Sequence, residues 1–234
     1  MAKKITLVFV LFLFVFGLRA ESLLNEGFEG WSTTNFPTGG WTVINDTQEG
    51  AINHWTVDNS KSACAGSVSL CCNGGKWNPI EPVKEEWIVS PSLTLSETNY
   101  NLSFLWKGAS ASAFKNEYDF QVRITEDDGE SWKTVFSFLD QNMVENSGGA
   151  FPWTGWGTNT SKISLGAYSG KTIKIAFVHC LLVSGAGKGN SIWVDNVVVE
   201  TGEAIDAPIA DVNPTSYIFC LLYTSPSPRD MRRS

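Results

Sequence analysis

Residues 118–136 read YDFQVRITEDDGESWKTVF. Tyr118, Phe120, Val122 and Ile124 are apolar at every second position, with Asp119, Gln121 and Arg123 between them. A period of two sends alternate side chains to opposite faces, so this stretch predicts a strand with one apolar face. Asp127-Asp128-Gly129 follows, a composition suited to a tight reversal in which the backbone visits positive φ. Trp132, Val135 and Phe136 begin the return strand. The unit is a β-hairpin, and the rest of the chain repeats its logic.

Leu102, Phe104 and Trp106 alternate upstream with polar neighbours. Downstream, Ile173, Ile175 and Phe177 alternate with Lys174 and Ala176. Trp193, Asp195, Val197 and Val199 keep the same period and are expected on one face of a further strand. Gly148-Gly149 and the segment from Ser184 to Asn190 read as Gly- and Asn-rich connections. No long stretch holds a helical period. Short strands separated by turn signals argue for an all-β fold of two packed antiparallel sheets. Most of the 10 tryptophans then belong to the core or to sheet edges. Trp77, Trp153 and Trp156 stand in loop-like surroundings and are candidates for stacking on a sugar ring. Capping the core from a loop is an equally good reading of them.

The two ends have their own character. Lys3 and Lys4, the apolar run Ile5 to Phe16 and the small residues up to Ala20 have the three-part order of a secretory signal peptide over residues 1–20. The run is shorter than the ~20 residues that span a bilayer. Glu21 rather than cysteine follows, against a lipid-anchored terminus. These features imply a secreted or cell-surface protein with no transmembrane segment in the mature chain. At the other end, Cys220 to Asp230 reads CLLYTSPSPRD. Its back-translation resembles a transposase-type sequencing adapter read in frame. Residues 220–234 are therefore expected to be artefact and the gene truncated, with 204–219 a linker or the start of a further module. The domain proper is read as 21–203.

Between those ends, residues 21–219 keep 11 of the 17 basic and 23 of the 24 acidic residues, a net charge of −12. A phosphate backbone repels such a surface, so no nucleic acid partner is expected. Acid excess also offers oxygen ligands to calcium, although a solvated acidic surface explains it as well. Four cysteines remain, Cys64, Cys71, Cys72 and Cys180. An exported chain can oxidise them, and four cysteines allow three pairings. Adjacent Cys71 and Cys72 are poor partners for each other, and the paired spacing of a zinc site is absent.

Catalytic signatures are missing. His54 and His179 are the two histidines. His179 continues the face of Ile173, Ile175 and Phe177, which suits a packed, hydrogen-bonded core residue. There is no G-x-S-x-G, no H-E-x-x-H and no phosphate-binding glycine loop. Glu85 and Glu86 are neighbours on one strand and point to opposite faces, which makes them poor partners at one glycosidic bond. The sequence reads as a non-enzyme.

Taken in order, LLNEGFEG, FPTGGWTVIN, NHWTV, EEWIVSPSLTL, LSFLWKG, FQVRITEDDGESW, KISLGAYSGKTIKIAFVH and SIWVDNVVVE resemble the cleaved adhesin domain, also met as the choice-of-anchor J domain of gingipain-type adhesins and other secreted bacterial proteins. The resemblance covers residues 23 to 200. It implies a MAM-like jelly-roll β-sandwich, often stabilised by calcium, within a surface-displayed parent. In jelly rolls of this type the first and last strands lie side by side, which would let Glu29 and Asp195 share a calcium ion, with Asp46 a weaker third ligand. A carboxylate among apolar neighbours is costly unless paired or metal-bound, and backbone amides at a strand end offer Asp195 an alternative partner. Two functions follow from the resemblance. One is an adhesin binding a host surface protein or glycan. The other is an accessory carbohydrate-binding module of a secreted hydrolase or protease.

Overall fold

The computed structural model describes residues 22–45, 54–59, 64–72, 84–96, 99–108, 118–140, 159–181 and 191–202. Twelve strands lie within them: β1 (Ser22–Glu26), β2 (Thr42–Asn45), β3 (Trp55–Asp58), β4 (Ser69–Cys72), β5 (Lys84–Val89), β6 (Leu93–Thr94), β7 (Tyr100–Gly108), β8 (Tyr118–Thr125), β9 (Lys133–Ser137), β10 (Asn159–Ser164), β11 (Thr172–Leu181) and β12 (Ile192–Thr201). The helical content of these residues is two 3-10 turns. None of it is long and apolar enough to cross a membrane.

The hairpin forms as its residues dictate. β8 pairs antiparallel with β9. Asp128 and Gly129 both have positive φ, 61° and 107°, the geometry whose twist matches the flanking strands. Thr125 and Ser131 donate hydroxyl hydrogen bonds to Asp127, at 2.6 and 2.5 Å, and so tie both sides of the turn.

All strand pairs are antiparallel, and they make two sheets. The first runs β10-β7-β12-β4-β3 with β1 also on β12; the second runs β2-β5-β11-β8-β9 with β6 also on β11. The arrangement is a jelly-roll β-sandwich. Between the sheets lies an aromatic core. Phe104, Phe120 and Phe177 meet with centroids 5.3–6.4 Å apart, and Trp106, Phe136 and Trp41 extend the cluster. Fully burying each such ring contributes roughly 1.5–3 kcal/mol, so this layer sets the spacing of the sheets.

In each sheet one long strand changes partner part-way along. β12 keeps β7 on one side for its whole length. On its other side Ile192, Trp193 and Val194 pair with β4, whereas Val197 to Glu200 pair with β1. β11 does the same against β5 and β6, and there Ser90 fills the gap. Its amide donates to the Ile175 carbonyl at 2.8 Å and its Oγ accepts the Ile175 amide at 3.0 Å.

The seam on β12 corrects one expectation. Asp195 does not share a face with Val197 and Val199. The pairing with β7 slips between Asp195 and Val198, and Asn196 has a φ of 45°. This bulge adds one residue and resets the alternation. Ile192 and Val194 before it and Val197 and Val199 after it all enter the core. Trp193 and Asp195 point to the outer face.

Candidate functional site

Asp195 sits where β4 ends and β1 begins along β12, and three segments converge on it. β1 runs towards this point and leaves through Gly27, Phe28 and Glu29. Phe28 takes a φ of 59°, strained for a bulky residue, and is held by rings of Trp31 and Trp41 at 5.1 and 5.8 Å. The loop that enters β4, residues 64–68, arrives from the other side. The bulge on β12 aims Asp195 at that loop.

The two carboxylates clasp the loop. Asp195 Oδ2 accepts the Ala65 amide at 2.9 Å and the Ser69 hydroxyl at 2.9 Å, while Oδ1 accepts the Asn196 amide at 2.7 Å. Glu29 Oε1 accepts the Ser67 amide at 2.8 Å and that of Val68 at 3.4 Å. Asp195 is 1% exposed. Burial holds its carboxyl above the ordinary aspartate range, and the charge of Glu29 adds to the effect; the Ala65 and Asn196 amides and the Ser69 hydroxyl pull the other way. Lys107, buried on the same outer face, lies 5.4 Å from the Trp193 ring centroid, and Trp193 Nε1 donates to Asp58 at 2.7 Å.

Gly66 is the tight point of the clasp. Its φ is +54°, and a Cβ there would fall 1.8 Å from Glu29 Oε1. Glu29 and Asp195, paired from the family resemblance, are thus brought to one loop. Asp46 lies outside the described residues. Among those residues no group of three metal-capable side chains occurs, so any cation here relies on two carboxylates and backbone oxygens.

A second feature covers the outer face of the second sheet. Arg123 on β8 makes a two-point bond to Glu85 on β5, at 3.0 and 2.6 Å, and its guanidinium lies 4.6 Å from the Trp87 ring centroid. Its Nε donates to Gln121 Oε1 at 2.8 Å, and Gln121 Nε2 donates to Asp119 at 2.6 Å. Trp87 and Trp132 meet edge to face at 5.3 Å over Val89, Ala176, Val178 and Cys180. Both rings are partly exposed, and Ile44 on β2, one strand beyond Trp87, is 50% exposed. The polar residues of β8 that looked like the solvated half of an alternating strand form this network. The sequence does not single out Trp87 and Trp132 as a pair because each reads as part of an ordinary strand pattern, whereas Trp77, Trp153 and Trp156 lie outside the described residues.

The chemistry elsewhere is that of packing. His179 is buried and stacks on Tyr118 at 5.2 Å, with Cys72 Sγ 3.6 Å from its Nδ1. Burial raises the Cys72 thiol well above its usual value, the reverse of what activates a nucleophile. His54 Nδ1 meets Glu86 at 3.1 Å, and Glu86 points inward while Glu85 points out to Arg123.

No family model matches the chain, and no curated protein matches it. Solved structures do. The K1 cleaved adhesin domain of Lys-gingipain from Porphyromonas gingivalis is 14% identical with a TM-score of 0.51, covering 76% of this chain and 98% of that one. The K3 cleaved adhesin domain of the same protein is 15% identical, with a TM-score of 0.48 over 79% of this chain and all of that one. TmCBM61, solved with β-1,4-galactotriose, is 13% identical with a TM-score of 0.46 over 78% of this chain and 99% of that one. The likeness to the K1 domain bears on the fold, a jelly-roll β-sandwich. Within that class, this chain has the fold of a cleaved adhesin domain.

Gly66→Ala should lower unfolding free energy by about 1–3 kcal/mol, through strained backbone and eviction of the Glu29 carboxylate. In urea titrations the Glu29→Gln substitution should cost much less in the Gly66→Ala background than in the wild type. Full additivity would show that Glu29 does not hold this loop.

Proposed function

We propose that this domain is an extracellular, non-catalytic binding module whose ligand is a neutral glycan on a cell or glycoprotein surface. The observation carrying this reading is the Trp87–Trp132 pair with Arg123 on the outer face of the second sheet. Indole rings offer flat apolar area to a sugar face, and the polar ladder beside them offers donors and acceptors to its hydroxyls. Arg123 is neutralised by Glu85, which favours a neutral over an acidic sugar. The plain alternative is that the two rings only cover Val89, Ala176 and Val178. The signal-peptide reading of residues 1–20 agrees with a surface role.

Calcium fits the clasp at the β12 seam as a structural ion. Two carboxylates close enough for one to raise the proton affinity of the other gain from a divalent cation between them. Asp195 Oδ2 and Glu29 Oε1 each already accept two hydrogen bonds. The ion would therefore be held through Asp195 Oδ1, which accepts the Asn196 amide and keeps a second lone pair, and through Glu29 Oε2. Glu29 and Asp195 would hold the ion, with backbone carbonyls of the 64–68 loop completing an oxygen shell. When bound, calcium supplies charge neutralisation and rigidity. The chain's own residues supply the frame, through the Ala65, Ser67 and Asn196 amides.

Two measurements follow. A screen of neutral oligosaccharides should find a ligand whose Kd weakens about 10-fold in Trp132→Ala with circular dichroism unchanged. Absence of any glycan binding by the wild type, or equal binding by that variant, contradicts the assignment. In melting curves calcium should raise the Tm by several degrees over chelator, magnesium should not replace it, and Asp195→Ala should abolish the response. An unchanged Tm removes calcium from the account.

A further inference from the structure

We infer that Cys64 and Cys71 form a disulfide that ties the 64–68 segment to β4 on the outer face of the first sheet, while Cys72 and Cys180 stay thiols. No disulfide joins any of the four in the structure, yet the fold sorts them by face. Leu70 and Cys72 belong to the core, so Ser69 and Cys71 point outward from β4. The Cys64 amide donates to Ser69 Oγ at 2.7 Å, and the next amide, Ala65, donates to Asp195. Cys64 is thus tied over the same stretch of β4 that displays Cys71. The electrostatic surroundings agree, since both thiols feel the Lys107 ammonium and Cys71 feels Cys64.

The other two cysteines are kept apart. Cys72 lies between the sheets beside His179. Cys180 lies on the far side of the second sheet, with Glu85 at 3.7 Å and Arg123 at 3.6 Å from its sulfur. A disulfide needs Cα atoms within about 7 Å and facing Cβ vectors, which residues on opposite faces do not provide. Of the three full pairings that four cysteines allow, the fold therefore favours none. It favours one bond and two thiols.

The inference rests on the export reading for its oxidant. Each thiol loses one hydrogen and an Sγ–Sγ bond forms. The two electrons and two protons reduce the disulfide of a thiol–disulfide exchange partner to two thiols. Cys71 is 1% exposed in the folded chain, so exchange precedes the closing of the loop.

The test uses the full chain, unfolded in reductant and refolded with a reduced and oxidised glutathione mixture, then mapped without reduction by tandem mass spectrometry. The expected result is one peptide pair linked through residues 64 and 71 and lighter by two hydrogens, with Cys72 and Cys180 alkylated once the chain is denatured. Cys64→Ser and Cys71→Ser should each lower the Tm of oxidised protein by about 5–10 °C and leave reduced protein nearly unchanged, whereas Cys72→Ser should leave the link intact. Alkylation of both Cys64 and Cys71 in the oxidised protein, or a link through Cys72 or Cys180, overturns the inference. Glutathione makes this outcome independent of export. A link formed in the tube by a chain that is never recovered from the culture medium of the cells making it would count against the export reading alone.

Discussion

Much of this domain depends on how β12 manages a change of partner. A strand flanked on one side first by β4 and then by β1 leaves a break in its ladder, and the backbone amides that meet there need acceptors. Asp195 and Glu29 are those acceptors. The bulge at Asn196 turns Asp195 out of the core, and the two carboxylates take amides of Ala65, Ser67, Val68 and Asn196. One bulge thereby joins the first strand, the last strand and a long connection. The second sheet meets the same problem at Ile175 with a neutral residue, Ser90. The difference matters, because a serine closes a seam without charge, whereas two carboxylates leave an acidic centre that a cation can complete.

The gross fold was legible because its signals are local and periodic. Tyr118 to Ile124, Leu102 to Trp106 and Ile173 to Phe177 alternate without interruption, and each became a strand with its apolar residues in the core. The turn at Asp127 to Gly129 was equally plain, since two consecutive positive φ values favour Asp and Gly there. Opposite faces for Glu85 and Glu86, and a packed His179, follow from the same parity.

The site was only half legible, for one physical reason. Period-two reading carries its phase forward, and nothing in IWVDNVVVE announces the extra residue that the bulge inserts. Asp195 was therefore assigned to the apolar face when it belongs to the outer one. Its pairing with Glu29 came from family likeness, and the loop amides between them were invisible because they depend on backbone course. The Trp87–Trp132 contact was hidden for a related reason. Those residues lie 45 positions apart, Trp87 on β5 and Trp132 just before β9, with β11 and β8 between, and only the sheet order brings the rings together. The two proposed roles fall on opposite sheets, so the seam steadies the sandwich while the aromatic face is free to vary with ligand.

The central claim is that Asp195 locks the 64–68 loop to the seam, and amide hydrogen exchange measures that lock residue by residue. In calcium-free wild type, the Ala65 and Ser67 amides should exchange about as slowly as the Val122 amide within the β8 ladder. In Asp195→Ala, Ala65 should accelerate at least ~10-fold relative to Val122, with Ser67 following as the loop lifts from Glu29. Fast exchange of both loop amides in the wild type, or an unchanged ratio to Val122 in the variant, would contradict the account.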